Sequence, residues 1–178
     1  MIGVGAGGNG TLTISNGGYV RSDNEDSSGV DLIVGDSANS TGTVTVTGVA
    51  NISGDDYQSE LQIANGAMIV GNYGNGSLTV SNGGYANLSG NDDNGVGLYI
   101  GNETNGTGTV TVSGVNSDSG NPSELDVNSG ALVVGGNGTG TLAVANGGYD
   151  DIVGSDTTGG LGLKVADGGN GTVTLDGN

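Results

Sequence analysis

The residues with the clearest chemical potential are carboxylates gathered between apolar stretches. Asp23, Glu25 and Asp26 lie within 21–29, Asp55 and Asp56 within 53–59, and Asp92 and Asp93 within 89–95. Asp118 and Asp156 occupy two further inserts. Oxygen ligands of this type suit a hard divalent cation, and stacked carboxylates gain from one because it relieves their repulsion. Each insert follows a preceding strand at a similar distance, which predicts that all five project from one corner of a repeating structure, one rung apart. Asp23, Glu25, Asp26, Asp55, Asp56, Asp92 and Asp93 are therefore candidate Ca2+ ligands. The competing reading is a solvated acidic edge that keeps the molecule soluble and discourages lateral aggregation.

Other chemistry is poorly supported. Asp55-Asp56, Asp92-Asp93 and Asp150-Asp151 are adjacent pairs, expected on exposed corners where nothing desolvates one partner to raise its pKa. The chain has no His and no Cys, which removes Ser-His-Asp and Cys-His nucleophiles, the usual zinc sites and disulfides. Gly3-Val4-Gly5-Ala6-Gly7-Gly8 matches G-x-G-x-x-G, but a dinucleotide site needs a strand before it and a helix after it. Here a strand follows, so a structural turn is expected. Gly7-Gly8-Asn9-Gly10 begins like a calcium nonapeptide, yet Leu12 stands where that motif needs Asp. Arg21 and Lys164 are the only basic residues against 19 acids, and the net charge is −17. Such a surface repels nucleic acid and anionic membranes. No apolar run approaches the roughly 18 residues of a membrane span. The first residues lack the basic and apolar regions of a signal peptide, so any export signal is expected outside this sequence.

Composition alone, with this charge and few large apolar residues, borders on disorder. The placement of the apolar residues argues otherwise. Gly10-Thr11-Leu12-Thr13-Ile14 returns as Gly42 to Val46, Gly76 to Val80, Gly108 to Val112, Gly140 to Val144 and Gly171 to Leu175, in steps of 32, 34, 32, 32 and 31 residues. A second ladder is Ile2/Val4, Leu32/Val34, Met68/Val70, Leu98/Ile100, Leu132/Val134 and Leu163/Val165; Gly follows every pair but the last, where Ala166 stands. Leu61-Gln62-Ile63 recurs as Leu125-Asp126-Val127, and Asn16-Gly17-Gly18-Tyr19 returns at Asn82 and Asn146, so a longer period of about 65 overlies the shorter one. Strict alternation marks strands with one buried face, and the Asn-Gly and Gly-Gly steps supply positive φ angles for corners. A short strand cannot bury its apolar face alone, whereas stacked copies cover one another. The expectation is an all-β, single-domain β-solenoid of about 32 residues per coil and roughly five and a half coils. At about 4.8 Å per rung it is a rod on the order of 25 Å long. Coils of about 21 residues, three per long period, also fit the spacing.

The repeat G-x-G-x-L-T-V-S-N-G-G … L-x-V-G-N … G-T-G-T-V-T-V-S-G, clearest in 70–84, 100–114 and 134–148, resembles that of bacterial autotransporter (type V secretion) passenger domains and related exported surface proteins. The resemblance spans nearly the whole chain. It implies a right-handed parallel β-helix outside the cell, commonly adhesive and non-catalytic.

Two functions follow as expectations. One is an adhesin holding glycans or host and matrix proteins; the other is a subunit of an extracellular or biofilm fibre. The ranks Thr11/Thr13, Thr43/Thr45 and Thr109/Thr111 admit an ice-binding face as an alternative, and a polysaccharide lyase or hydrolase is a remote one. The chain opens inside a repeat and closes just after a first-ladder strand, which predicts either a piece of a longer rod or head-to-tail self-association by strand addition. Ile33, Ile69, Tyr99 and Val133 occupy a slot that also accepts Lys164. They are expected to face outward as a lateral interface.

Overall fold

In the computed structural model, which describes residues 1–23, 29–157 and 159–177, every regular element is a strand. After β1 (Ile2–Val4) the chain repeats a three-strand turn. The first turn is β2 (Asn9–Ser15), β3 (Tyr19–Ser22) and β4 (Val30–Val34). The second is β5 (Thr41–Thr47), a hairpin of β6 (Val49–Ile52) and β7 (Asp55–Gln58), then β8 (Glu60–Ile63) and β9 (Ala67–Val70). The third is β10 (Asn75–Ser81), β11 (Tyr85–Leu88) and β12 (Val96–Ile100). The fourth is β13 (Thr107–Ser113), β14 (Glu124–Val127) and β15 (Ala131–Val134). The fifth is β16 (Thr139–Ala145), β17 (Tyr149–Ile152) and β18 (Leu163–Val165), followed by β19 (Asn170–Asp176). Equivalent strands pair in parallel and build three faces: a threonine sheet from β2 to β19, a short sheet from β3 to β17, and a third sheet from β1 to β18.

The register decides the coil length. Thr43, Ser77 and Thr109 are direct neighbours across β5, β10 and β13, one coil apart at 32 to 34 residues. The protein is therefore a parallel β-solenoid of about five turns, and coils of 21 residues are excluded. Its core is the apolar ladders read from the sequence: Leu32, Met68, Leu98 and Leu132 are fully buried, as are Val44, Leu78 and Val110 on the threonine sheet and Leu61 and Leu125 on the short sheet. Asn16-Gly17 and its copies turn the corner with φ of 54° and 74° at the first occurrence, the pair of positive angles that Asn-Gly accepts readily.

The 65-residue period has a structural cause that differs from the single-corner expectation. In turns one, three and five the longer link joins the short sheet to the third (β3 to β4, β11 to β12, β17 to β18), with 89–95, 153–157 and 159–162 among its described residues. Residues 48–59 and 114–123 lie between the threonine and short sheets, in turns two and four. Inserts thus alternate between two corners, and at each corner successive inserts stand two rungs apart, about 10 Å at 4.8 Å per rung. An insert is bulkier than a tight turn, so alternation gives each one the height of two rungs. They still touch: the Thr157 hydroxyl donates to the Asn94 carbonyl at 3.0 Å, and the Gln58 amide reaches the Pro122 carbonyl at 3.4 Å. Buried Ser59 and Ser123 close the second kind of insert. Each donates to a strand-end carbonyl (Thr47 or Ser113, both 2.8 Å) and accepts from a glycine N–H one rung below (Gly17 or Gly83, both 3.1 Å).

Asp150 departs from the core pattern. The sequence suggests an exposed corner for it, but the register places it on β17 beside Leu125, at an inward position. Its Oδ1 is buried with no hydrogen bond. Desolvation, then the nearby Asp126 and Asp151 carboxylates, push its pKa up to about 7. Burial does therefore lift one member of an adjacent pair. Asp150 and Asp151 alternate across the strand and point to opposite faces, so they do not converge on one substrate. The raised value sets a sign. The fold prefers the protonated acid, so its stability is fullest below the ordinary carboxylate range and is lost as pH rises through about 7. Thermal unfolding of this chain should show a midpoint that falls by a few degrees between pH 5 and pH 8. Asp150→Leu should raise the midpoint at pH 8 and flatten that slope. Parallel slopes for the two proteins would show that Asp150 is not the group responsible.

Candidate functional site

Among the described residues, the candidate metal ligands stand apart from one another. Asp55 and Asp56 sit on the exposed β6–β7 hairpin, where Asp56 accepts from the Asn51 amide at 2.8 Å. Asp23, at the other corner, lies 3.6 Å from Arg21. Glu25 and Asp26 lie outside the described residues. Asp93 is exposed, while Asp92 is buried and fully engaged. Its Oδ1 accepts from the backbone N–H of Asn94 (3.0 Å) and Val96 (2.8 Å). Its Oδ2 accepts from the Asn94 amide (3.1 Å) and the Tyr99 hydroxyl (2.9 Å). Asp92 is a structural anchor for its insert. Among the described residues no group of three or more acidic side chains is arranged to hold a metal ion.

The same device recurs two turns on. Asp156 accepts from Gly159 N–H at 2.7 Å and binds the Lys164 ammonium at 2.6 Å; Asp167 lies 3.6 Å from that ammonium. Lys164, foremost, and the Gly159 N–H hold the Asp156 carboxyl well below its ordinary range. In both cases an insert aspartate pins the side chain standing on the outer face of the third sheet. Arg21 and Lys164, the chain's two basic residues, are thus both beside carboxylates.

That outer face carries the stripe expected as a lateral interface. Gly3, Ile33, Ile69, Tyr99, Val133 and Lys164 do form one column, rung by rung, on the side opposite the core. The stripe is not an exposed band, however. Ile69 is 5 % and Val133 2 % exposed. Val133 packs with Val96, Ala131 and Tyr99 in a small second cluster. Tyr99 and Lys164 flank Val133 on the rungs to either side.

Over turns one to three this face is a groove of about 320 Å³. Its floor is Ile33, Ile69 and Tyr99; one wall is Asp92 and Asn94, the other Asn72, Tyr73, Asn102 and Glu103. The second wall is built by the repeat. The residue after each corner glycine stacks on its counterpart, so the Asn102 amide donates to Asn72 Oδ1 (3.0 Å) and the Asn72 amide to Asp36 Oδ1 (2.8 Å). Each amide nitrogen has a second N–H to offer. Tyr73 lines the same wall, 51 % exposed, its N–H bonded to the Asp36 carbonyl at 3.0 Å. Burial and Asp92 push the Tyr99 phenol well up, so it remains a donor. From the sequence Tyr57, Tyr73 and Tyr99 are copy-specific but scattered. The solenoid brings Tyr73 and Tyr99 to one groove and leaves Tyr57 on the hairpin at another corner. The signal that could have found the site was Tyr at two neighbouring copies of the corner-glycine segment, read in register.

The threonine sheet presents the other regular surface. Thr11, Thr43, Ser77, Thr109, Thr141 and Thr172 form one outward column, and Thr13, Thr45, Thr79, Thr111, Ala143 and Thr174 the next. No family model, no curated protein and no solved structure matches this chain. The fold defines its class, a parallel β-solenoid built from alternating insert-bearing turns.

Proposed function

We propose that this chain is a non-catalytic, extracellular adhesive solenoid, a rod that holds a contact groove away from whatever carries it. The observation that supports this most is the groove with Tyr73 and Tyr99. It gathers two tyrosines that occur in single copies of the repeat on one face, whereas a purely structural fibre needs only the repeat. The repeat's resemblance to autotransporter passengers and the acidic surface fit the same setting. Microbeads coated with the chain should adhere to surfaces bearing cell-surface or matrix glycoconjugates, and beads coated with serum albumin should not. Equal retention of the two bead types overturns the adhesive reading.

The hydroxyl columns favour a second reading, an ice-binding face, with Ala143 as its main interruption. It is separable, because ice-growth inhibition by the chain, abolished by Thr109→Tyr, would support that reading and not the groove.

A further inference from the structure

The groove's chemistry narrows what it holds. Its floor is apolar and partly aromatic, with Ile69 under Tyr99, and Tyr73 offers an exposed ring beside it. Its polar wall is amide and carboxylate: Asn72, Asn102 and Glu103. No basic residue lines it, and the chain carries −17. An anionic ligand would find no counter-charge there and a repelling field. An unbranched aliphatic ligand would leave the amide N–H groups and the Glu103 carboxylate unpaired on binding, which costs affinity. A pyranose ring meets both demands, since its C–H faces pack on aromatic rings while its hydroxyls donate to a carboxylate and accept from amides. At about 320 Å³ the groove is at the small end of ligand sites, roughly 300–1,000 Å³, and suits a single sugar unit better than a long segment.

Resting on the adhesive reading above, we infer that the groove binds a neutral sugar unit of a surface glycan, stacked against Tyr73 and hydrogen-bonded by Asn72, Asn102 and Glu103. The Asp92 anchor fits this role. Its oxygens are fully used within the protein, so it fixes Tyr99 and the insert wall before any ligand arrives, which lowers the ordering cost of binding.

The test uses the full chain and the methyl glycosides of glucose, galactose, mannose and N-acetylglucosamine, followed by saturation-transfer NMR, with polygalacturonate as the anionic probe. At least one neutral glycoside should bind, and Tyr73→Ala should weaken it at least tenfold. Tyr57→Ala, on the hairpin at the other corner, should leave it unchanged, and polygalacturonate should not bind. Circular dichroism of both variants should match the parent. Binding by none of the glycosides, or equal weakening by the two tyrosine variants, overturns the sugar assignment. The two readings fail separately. Beads that adhere while no glycoside binds keep the adhesive role and reject the sugar. A glycoside bound at Tyr73 on beads that never adhere keeps the sugar and rejects adhesion.

Discussion

Leu78→Asp should abolish cooperative folding of the central turns, at a cost of about 5 kcal/mol or more. Leu78 is fully buried and stacks between Val44 and Val110 in the register of the threonine sheet. A carboxylate there has no donor within the ladder and no route to water. Because the ladder strands of each turn pair only with those of its immediate neighbours, and inserts alone reach two rungs, damage at one rung uncouples the core of the stack above from that of the stack below. Ile33→Asp tests the facing assignment. Ile33 is half-buried on the outer side, at the groove floor, where water reaches it, so the cost should stay near 1 kcal/mol. Urea unfolding followed by circular dichroism measures both. Equal damage from the two substitutions contradicts the assignment of inner and outer columns.

Gly71→Ala should cost about 3 kcal/mol or more, the sum of a strained backbone and an overpacked contact. Gly71 has φ of 76°, and a Cβ on it would lie 2.2 Å from the Thr107 carbonyl oxygen of the next rung, which is backbone and cannot step aside. Gly35, Gly101 and Gly135 meet the same obstruction at 2.2 Å. Gly120 separates conformation from collision. Its φ is 76°, but a Cβ there would meet nothing within 4 Å, so Gly120→Ala should cost only the left-handed preference, about 1–2 kcal/mol. Ala166 shows that the left-handed angle alone does not exclude a side chain here. It is the one non-glycine at this ladder position and adopts φ of 60°. If Gly71→Ala and Gly120→Ala unfold at the same urea concentration, the rungs are not in the close contact described here.

Much of this architecture was legible in the sequence because ladder residues report their neighbours twice, through alternation along a strand and through recurrence at 32 residues. The inward Leu/Val pairs needed no other information. The corner of each insert was harder to read. Distance from the preceding strand looks similar for 48–59 and 89–95, but one is measured from the threonine sheet without the short strand, and the other includes it. Asp31 and Asp150 are hidden for a related reason. A carboxylate in a strand reads as outward, yet Asp31 sits at a bulge between Val30 and Leu32, fully buried. There it accepts from Ser22 Oγ at 3.2 Å and the Gly66 N–H at 3.2 Å. The groove was invisible as a motif because Tyr73 and Tyr99 belong to different turns and become neighbours only through the register.

The proposed adhesive function requires contact through the groove face and not through the threonine face. The absence of native Cys permits a direct measurement. Asn94→Cys, exposed at the groove wall, and Thr109→Cys, exposed on the threonine sheet, can each be capped with a bulky polyethylene glycol maleimide or with N-methylmaleimide. Bead adhesion should be lost with the bulky cap at position 94, persist with the small cap there, and persist with either cap at position 109. Adhesion blocked by the bulky cap at 109 and untouched by it at 94 would overturn the groove as the contact site.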